Sequence, residues 1–215
     1  MSIELDAVVG PQVLQDGVPN ALRIGRLSEL IVAELHGKYY EQTFRGNLFW
    51  STMSAGVIFP APAATASNPM TLANPLGSGK NLVLVSFDMV VTTIVGTPLT
   101  GLYGLYVNKV PQAAAVTGTA MAVQPGLIGG PANSVALPLS TSTVPVAPTL
   151  LVPFGQKITG EVAAAGSMLN NPAFHIDFDG KIILAPGTAI TPQQTVGDTT
   201  NATVLCSFCW EEISQ

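Results

Sequence analysis

The sequence predicts a mainly β protein: an antiparallel β-sandwich or jelly roll over residues 51–215, behind an N-terminal arm, residues 1–50, containing a short helix at about 28–41. Three observations predict it. Charged side chains make up only 10% of the chain, against about 25% in average domains. The difference is filled by Gly, Pro, Ala, Thr, Ser and Asn, a mixture that suits short strands and tight turns and works against a helix bundle. From Phe44 onward, apolar residues recur with a period of two, and turn residues separate about eight such runs at the spacing of a sandwich.

The elements follow in order. Val8 to Pro19 is an arm punctuated by Gly and Pro. Ser28 is placed to cap a helix, Glu29 suits the positive end of its dipole, and Leu30, Ile31, Glu34, Leu35 and Lys38 recur at helical spacing. Gly37 weakens the second half by about 1 kcal/mol relative to Ala, so the helix is expected to fade near His36. Its apolar stripe of Leu27, Leu30, Ile31 and Leu35 must pack on something, and with Tyr39 and Tyr40 it forms the expected partner-binding surface. Asn81–Val95 gives the strongest strand signal, with Val83, Val85, Phe87, Met89 and Val91 expected on the core face. Leu102–Val107 alternates in the same way. The stretch from Pro111 to Pro148 has no clear period and reads as loops with one or two short edge strands, where Pro is tolerated. Thr149–Val152 and Lys157–Ala163 follow. Ala173–Phe178, Asp179-Gly180 and Lys181–Ala185 then read as a hairpin about a type I′ turn. Thr188–Thr191 and a closing strand, Ala202–Trp210, complete the series.

Composition also excludes function classes. Disordered chains are poor in apolar residues and rich in charge, whereas this one is 47% hydrophobic with a mean hydropathy of +0.44. Residues 110–156 carry no Asp, Glu, Lys or Arg, yet prolines at 111, 125, 131, 138, 145, 148 and 153 break the stretch, so no membrane span is expected. Net charge is −5 with no basic cluster, which argues against direct nucleic-acid binding, because neutralising phosphates takes grouped Lys and Arg. The opening Met1–Asp6 is acidic and lacks the apolar run of a secretory signal, so a cytoplasmic site of assembly is expected.

Few motifs carry chemistry. Asn74–Asn81 is suggestive of a phosphate loop, but Asn74 and Asn81 stand where a Gly and a Ser or Thr are needed, and a strand rather than a helix follows. His175, Asp177 and Asp179 alternate onto one strand face and form the best candidate set for a divalent cation. The plainer reading is a solvated strand face with Asp179 serving the turn, so neither a metal nor a cofactor is expected. Cys206 and Cys209 lack the second pair a zinc site needs and, three apart on a strand, point to opposite faces; Cys206 sides with Val204, Phe208 and Trp210. Glu211 and Glu212 also point opposite ways and cannot face each other across a cleft. With two histidines and no Gly-x-Ser-x-Gly elbow, no catalytic set forms. The aromatic residues Tyr39, Tyr40, Phe44, Phe49 and Trp50, with Tyr103 and Tyr106, could serve as a sugar platform, although the first group reads better as docking the arm onto the sandwich.

The strings Glu34-Leu35-His36-Gly37-Lys38-Tyr39-Tyr40-Glu41, Arg45-Gly46-Asn47-Leu48-Phe49 and Asn74-Pro75-Leu76-Gly77-Ser78-Gly79-Lys80-Asn81-Leu82, with Pro186-Gly187 and Trp210-Glu211-Glu212 near the end, resemble virion proteins of tailed bacteriophages. The resemblance covers roughly residues 25 to 95. It implies a jelly-roll capsid decoration (cement) protein, commonly trimeric, or a tail or head-fibre component, with no catalytic residues. The expectation is a non-enzymatic virion protein that binds the major capsid or another virion protein through its arm and itself, as a homotrimer, through its sandwich. A glycan- or receptor-binding module is the alternative.

Overall fold

The computed structural model describes residues 7–9, 22–24, 37–58, 63–95, 102–108, 114–154, 173–195 and 201–215. The chain divides into two compact units, Met1–Tyr40 and Glu41–Gln215. In the first unit, β1 (Ala7–Val9) and β2 (Leu22–Ile24) pair in parallel. Most of the expected helix, with Leu27, Leu30, Ile31 and Leu35, lies outside the described residues. Within them Gly37–Tyr39 is a turn, and a single helical turn, α1 (Tyr40–Phe44), follows. Gly46, at φ 72°, ends that turn in the left-handed region, where glycine costs least.

The second unit holds the remaining strands: β3 (Leu48–Thr52), β4 (Val57–Ile58), β5 (Asn68–Ala73), β6 (Lys80–Val95), β7 (Tyr103–Asn108), β8 (Thr117–Ala120), β9 (Gln124–Pro125), β10 (Leu137–Thr143), β11 (Thr149–Phe154), β12 (Ala173–Asp177), β13 (Ile183–Leu184), β14 (Ala189–Gln194) and β15 (Asn201–Ser214). They form two antiparallel sheets packed face to face. The first runs β12-β6-β15-β3-β9, with β13 also on β6 and β4 on β15; the second runs β11-β7-β14-β5-β10-β8. The wrapping is legible once the eight principal strands are taken in chain order: β3, β5, β6, β7, β11, β12, β14, β15. The first pairs with the last (β3 with β15), then β5 with β14, β6 with β12, and β7 with β11. A ribbon of strand pairs rolled up in that way is a jelly roll. The sandwich starts at β3, inside the segment that the sequence assigns to the arm.

The core lies between the sheets. From the first come Phe49, Leu82, Leu84, Phe87, Met89, Val91, Cys206, Phe208 and Trp210; the second contributes Met70, Leu72, Tyr103, Leu105 and Ile190. Within the first sheet Phe87 lies 4.8 Å from Phe208, and across the interface it lies 5.4 Å from Phe154, measured between centroids. Large apolar side chains at each inward position contribute about 2–3 kcal/mol apiece on burial, which sets the alternation along each strand.

Three expectations about elements change. Leu82 and Leu84, rather than Val83 and Val85, face the core with Phe87, Met89 and Val91. The register against β15 slips between Cys209 and Trp210, so Val85 is the extra residue of a β-bulge and reverses the phase of everything before it. Asp179 and Gly180 adopt the positive φ values of a type I′ turn, 51° and 81°, closed by a 2.9 Å bond from the Lys181 N–H to the Phe178 carbonyl. The flanking strands do not form a hairpin. β12 and β13 both pair with β6, one after the other, so the turn is a loop thrown out of one edge strand opposite the Val85 bulge. The proline-rich middle supplies β8 and β9 at sheet edges as expected, but also β10, which is internal to the second sheet. Pro138 has no N–H to donate there, but its carbonyl still accepts from the Met121 N–H at 3.0 Å.

The outward face of the second sheet is buried as well over its central strands β5, β7 and β14. Thr71, Thr191 and Gln193 are wholly enclosed, and the loops at residues 63–67 and 144–148 lie across them. The Gln193 amide donates to the Ala64 carbonyl (2.8 Å), Asn108 donates to that of Val146 (2.8 Å), and the Val144 N–H reaches Thr65 (2.7 Å). The β5–β14 ladder contains only Ala73↔Ala189 and Leu72↔Ile190. Beyond it side chains take over: Thr191 Oγ1 donates to the Met70 carbonyl, and Gln193 Nε2 to Asn68 Oδ1. Among the described residues no helix is long and apolar enough to cross a membrane.

Candidate functional site

The exposed titratable cluster of the sandwich sits on the outward face of the first sheet, at its β12 edge. Cross-strand register sets His175 opposite Asp88 on β6, and Asp88 opposite Ser207 on β15, which lies opposite Thr52 on β3. His175 Nδ1 stands 2.6 Å from Asp88 Oδ1, and Nε2 stands 3.2 Å from Asp177 Oδ1. With a carboxylate at each nitrogen, both ring nitrogens act as donors, which only the imidazolium provides. Hydrogen bonding and charge from Asp88, with a smaller contribution from Asp177, hold the His175 pKa above its ordinary value. Asp88 is 42% and Asp177 64% exposed, so solvent screens the cluster.

This geometry decides the chemistry. The carboxylates flank the imidazole on opposite sides and cannot converge with it on one ion. Among the described residues no group of three or more His, Cys, Asp and Glu is disposed to hold a metal. Asp179 is taken up by its left-handed turn, as the plainer reading of the sequence had it. Asp88 is the member that sequence reasoning missed, although it is the only acid in Asn81–Val95, and a lone charge in an apolar strand points to a partner on the outward face. Nor is this a hydrolytic triad. Such a triad places His between Ser and Asp, whereas here Asp88 stands between Ser207 and His175, and the Ser207 hydroxyl is engaged with Thr52 Oγ1 at 2.9 Å.

The other candidates resolve into structure. Cys206 faces the core and Cys209 the opposite side, and both are buried free thiols. Burial, aided by the Asp88 charge, pushes Cys209 up to about 12, and burial pushes Cys206 higher still, so neither supplies a thiolate. Glu212 is a structural hub: its enclosed carboxylate accepts from Lys80 Nζ (2.9 Å), the Val135 N–H (2.9 Å) and Ser134 Oγ. It thereby pins the loop before β10 to the closing strand. Glu211 points the other way, and burial raises its pKa. The Asn74–Lys80 string is a turn: Asn74 Nδ2 donates to the Lys80 and Leu184 carbonyls (2.8 Å each), and the lysine is committed to Glu212.

The aromatic residues do not assemble into one platform. Phe49 and Tyr103 are in the core, and Tyr106 is buried with its hydroxyl donating to the Gln194 carbonyl at 3.1 Å. Trp50 is exposed on the same face as Thr52, Ser207 and Asp88. Of the expected partner-binding residues, Tyr39 is half-buried and Tyr40 exposed; the four on the helix are not described. Comparison with protein-family models, with curated proteins and with solved structures finds no match.

Proposed function

We propose that this protein is a non-catalytic structural component of a virion, a capsid decoration or cement protein. Its N-terminal residues 1–50 attach to the major capsid or another virion protein, and its sandwich self-associates as a homotrimer. What carries the reading is a charge-poor jelly roll that leaves large apolar side chains in water: Ile128 is 88% exposed, Leu76 61%, Ile183 57%, Ile213 46% and Leu151 45%. Single exposed apolar side chains are ordinary, whereas a contiguous apolar patch marks an interaction site; in this reading these residues are parts of such patches. Jelly rolls recur in capsid and lectin domains; that is an analogy of fold, and it agrees with the resemblance in sequence. The test is co-sedimentation with purified particles. Full-length protein is expected to pellet with the shell, and protein lacking residues 1–40 to stay in solution. Equal pelleting of the two would remove the anchoring role.

One observation favours a second reading. Trp50, on the same face as Thr52, Ser207 and Asp88, offers an aromatic surface with hydroxyl and carboxylate groups further along it, the chemistry of a glycan-binding surface. A glycan that raises the thermal midpoint of the wild-type protein, but not of Trp50→Ala, would move this reading ahead.

A further inference from the structure

The four edges of the two sheets are not alike. An edge strand presents unpaired N–H and C=O groups, and proteins blunt it with charge, proline, bulges or shortness. The first sheet is blunted on both sides: β12 carries the exposed ions His175 and Asp177, and β9 is two residues long and ends in Pro125. The second sheet ends in β8 and β11, both from residues 110–156, which hold no charged side chain in a chain of net charge −5. β8 reads Thr-Gly-Thr-Ala and is exposed throughout, with neither charge nor proline. β11 exposes Leu150 (41%) and Leu151 (45%), with Val146 (45%) just before it. Its bulge, at Leu151, and its proline, at 153, leave Thr149 and Leu150 as its regularly paired start.

We propose that the β8 edge of one copy packs against the β11 edge of the next, continuing the second sheet from protomer to protomer around a closed ring. This rests on the self-association proposed above and names its surface. Three features fit these edges to each other. Copies that repel through net charge meet most easily where neither bears any. The small side chains of β8 leave room for Leu150, Leu151 and Val146. The strand directions also agree: β8 and β11 are five antiparallel steps apart in one sheet, so they run oppositely, and a neighbour continuing the sheet meets β11 antiparallel, like every other pair in it. Contact between two different patches is heterologous and closes into a ring when the rotation permits.

The test combines native mass with cross-linking. Thr119→Cys and Leu151→Cys are made singly and together and treated with a short bis-maleimide; the native thiols are buried. The double variant is expected to give covalent oligomers, and each single variant none. Cross-linking of Leu151→Cys alone means twofold β11–β11 pairing and overturns the proposal. An assembled wild type whose double variant does not cross-link overturns the edge assignment and leaves self-association standing; a monomeric wild type overturns both. Thr119→Lys, on an exposed edge strand, gives a second readout. It is expected to lower the native mass with an unchanged circular dichroism spectrum, and an unchanged mass contradicts the proposal.

Discussion

The two sheets share one core and treat their outer faces in opposite ways. In the first, the β12 side of that face stands in or near water, with His175, Asp88, Asp177, Ser207 and Thr52 bonded mainly to one another, while Ser86, Cys209 and Glu211 further along it are buried. In the second, Thr71, Thr191, Gln193, Asn68 and Ser142 are enclosed, and their partners are backbone carbonyls and each other. The same residue types therefore carry different energetic weight. An exposed hydroxyl exchanges a protein partner for water at little cost, while a buried donor or acceptor left unpaired costs its full desolvation. The second sheet is locked by polar groups because its β5–β14 ladder is short. The first has a β6–β15 ladder that runs the length of both strands with two register shifts, and it keeps the polar face at its β12 side free for contact.

The core shared by the sheets should yield the largest effect. Phe208→Ala removes a ring packed on Phe87 and should cost about 3–5 kcal/mol in chemical denaturation. Glu212→Gln, which takes the charge from the hub joining the loop before β10 to β15, should cost about 2–3 kcal/mol. Hydrogen exchange should rise around Ser134–Ala136; a loss confined to global stability would mean that the loop is held by something else.

The contrast itself is sharpened by a matched pair. Gln193→Ala should cost about 1–3 kcal/mol, since it strands the Ala64 carbonyl and Asn68. Ser207→Ala, on the open face, should stay within about 0.5 kcal/mol. Equal costs would erase the distinction between the faces.

The smallest effect is a pH dependence at the edge of the first sheet. The folded pKa of His175 is raised. Its stabilisation is therefore fully present below the unfolded value of about 6.5 and lost as pH rises through the higher folded value. The groups facing it are Asp88 from β6 and Asp177 from its own strand, with uncharged Ser207 one strand further. His175→Gln should lower the thermal midpoint at about pH 5.5 and leave it nearly unchanged at alkaline pH, where both imidazoles are neutral. A difference that persists at alkaline pH would mean that the ring acts through packing.

How far the sequence reached depends on the range of the interaction involved. Alternation alone placed β6, β7, β12 and β15, and it set Cys206 inward with Phe208 and Trp210. The Asp179-Gly180 dihedrals were also legible, because a two-residue turn is local. What those residues connect was not: β6 supplies a longer partner for β12 and β13 than either gives the other. The Val85 bulge escaped because its cause lies across the sheet, in register with Cys209 and Trp210. β10 escaped because its sequence, Leu-Pro-Leu-Ser-Thr-Ser-Thr, is a strand only once β5 and β8 flank it. At the ionic cluster, period two found His175 and Asp177, while Asp88 enters from a strand nearly ninety positions away.

Self-assembly is the central claim, and native mass tests it most directly. Light scattering on the full-length protein across a concentration series should give one species of three times the 22.2 kDa chain. A monomer at every concentration would contradict the account, and the exposed apolar strands would then have to serve a different partner.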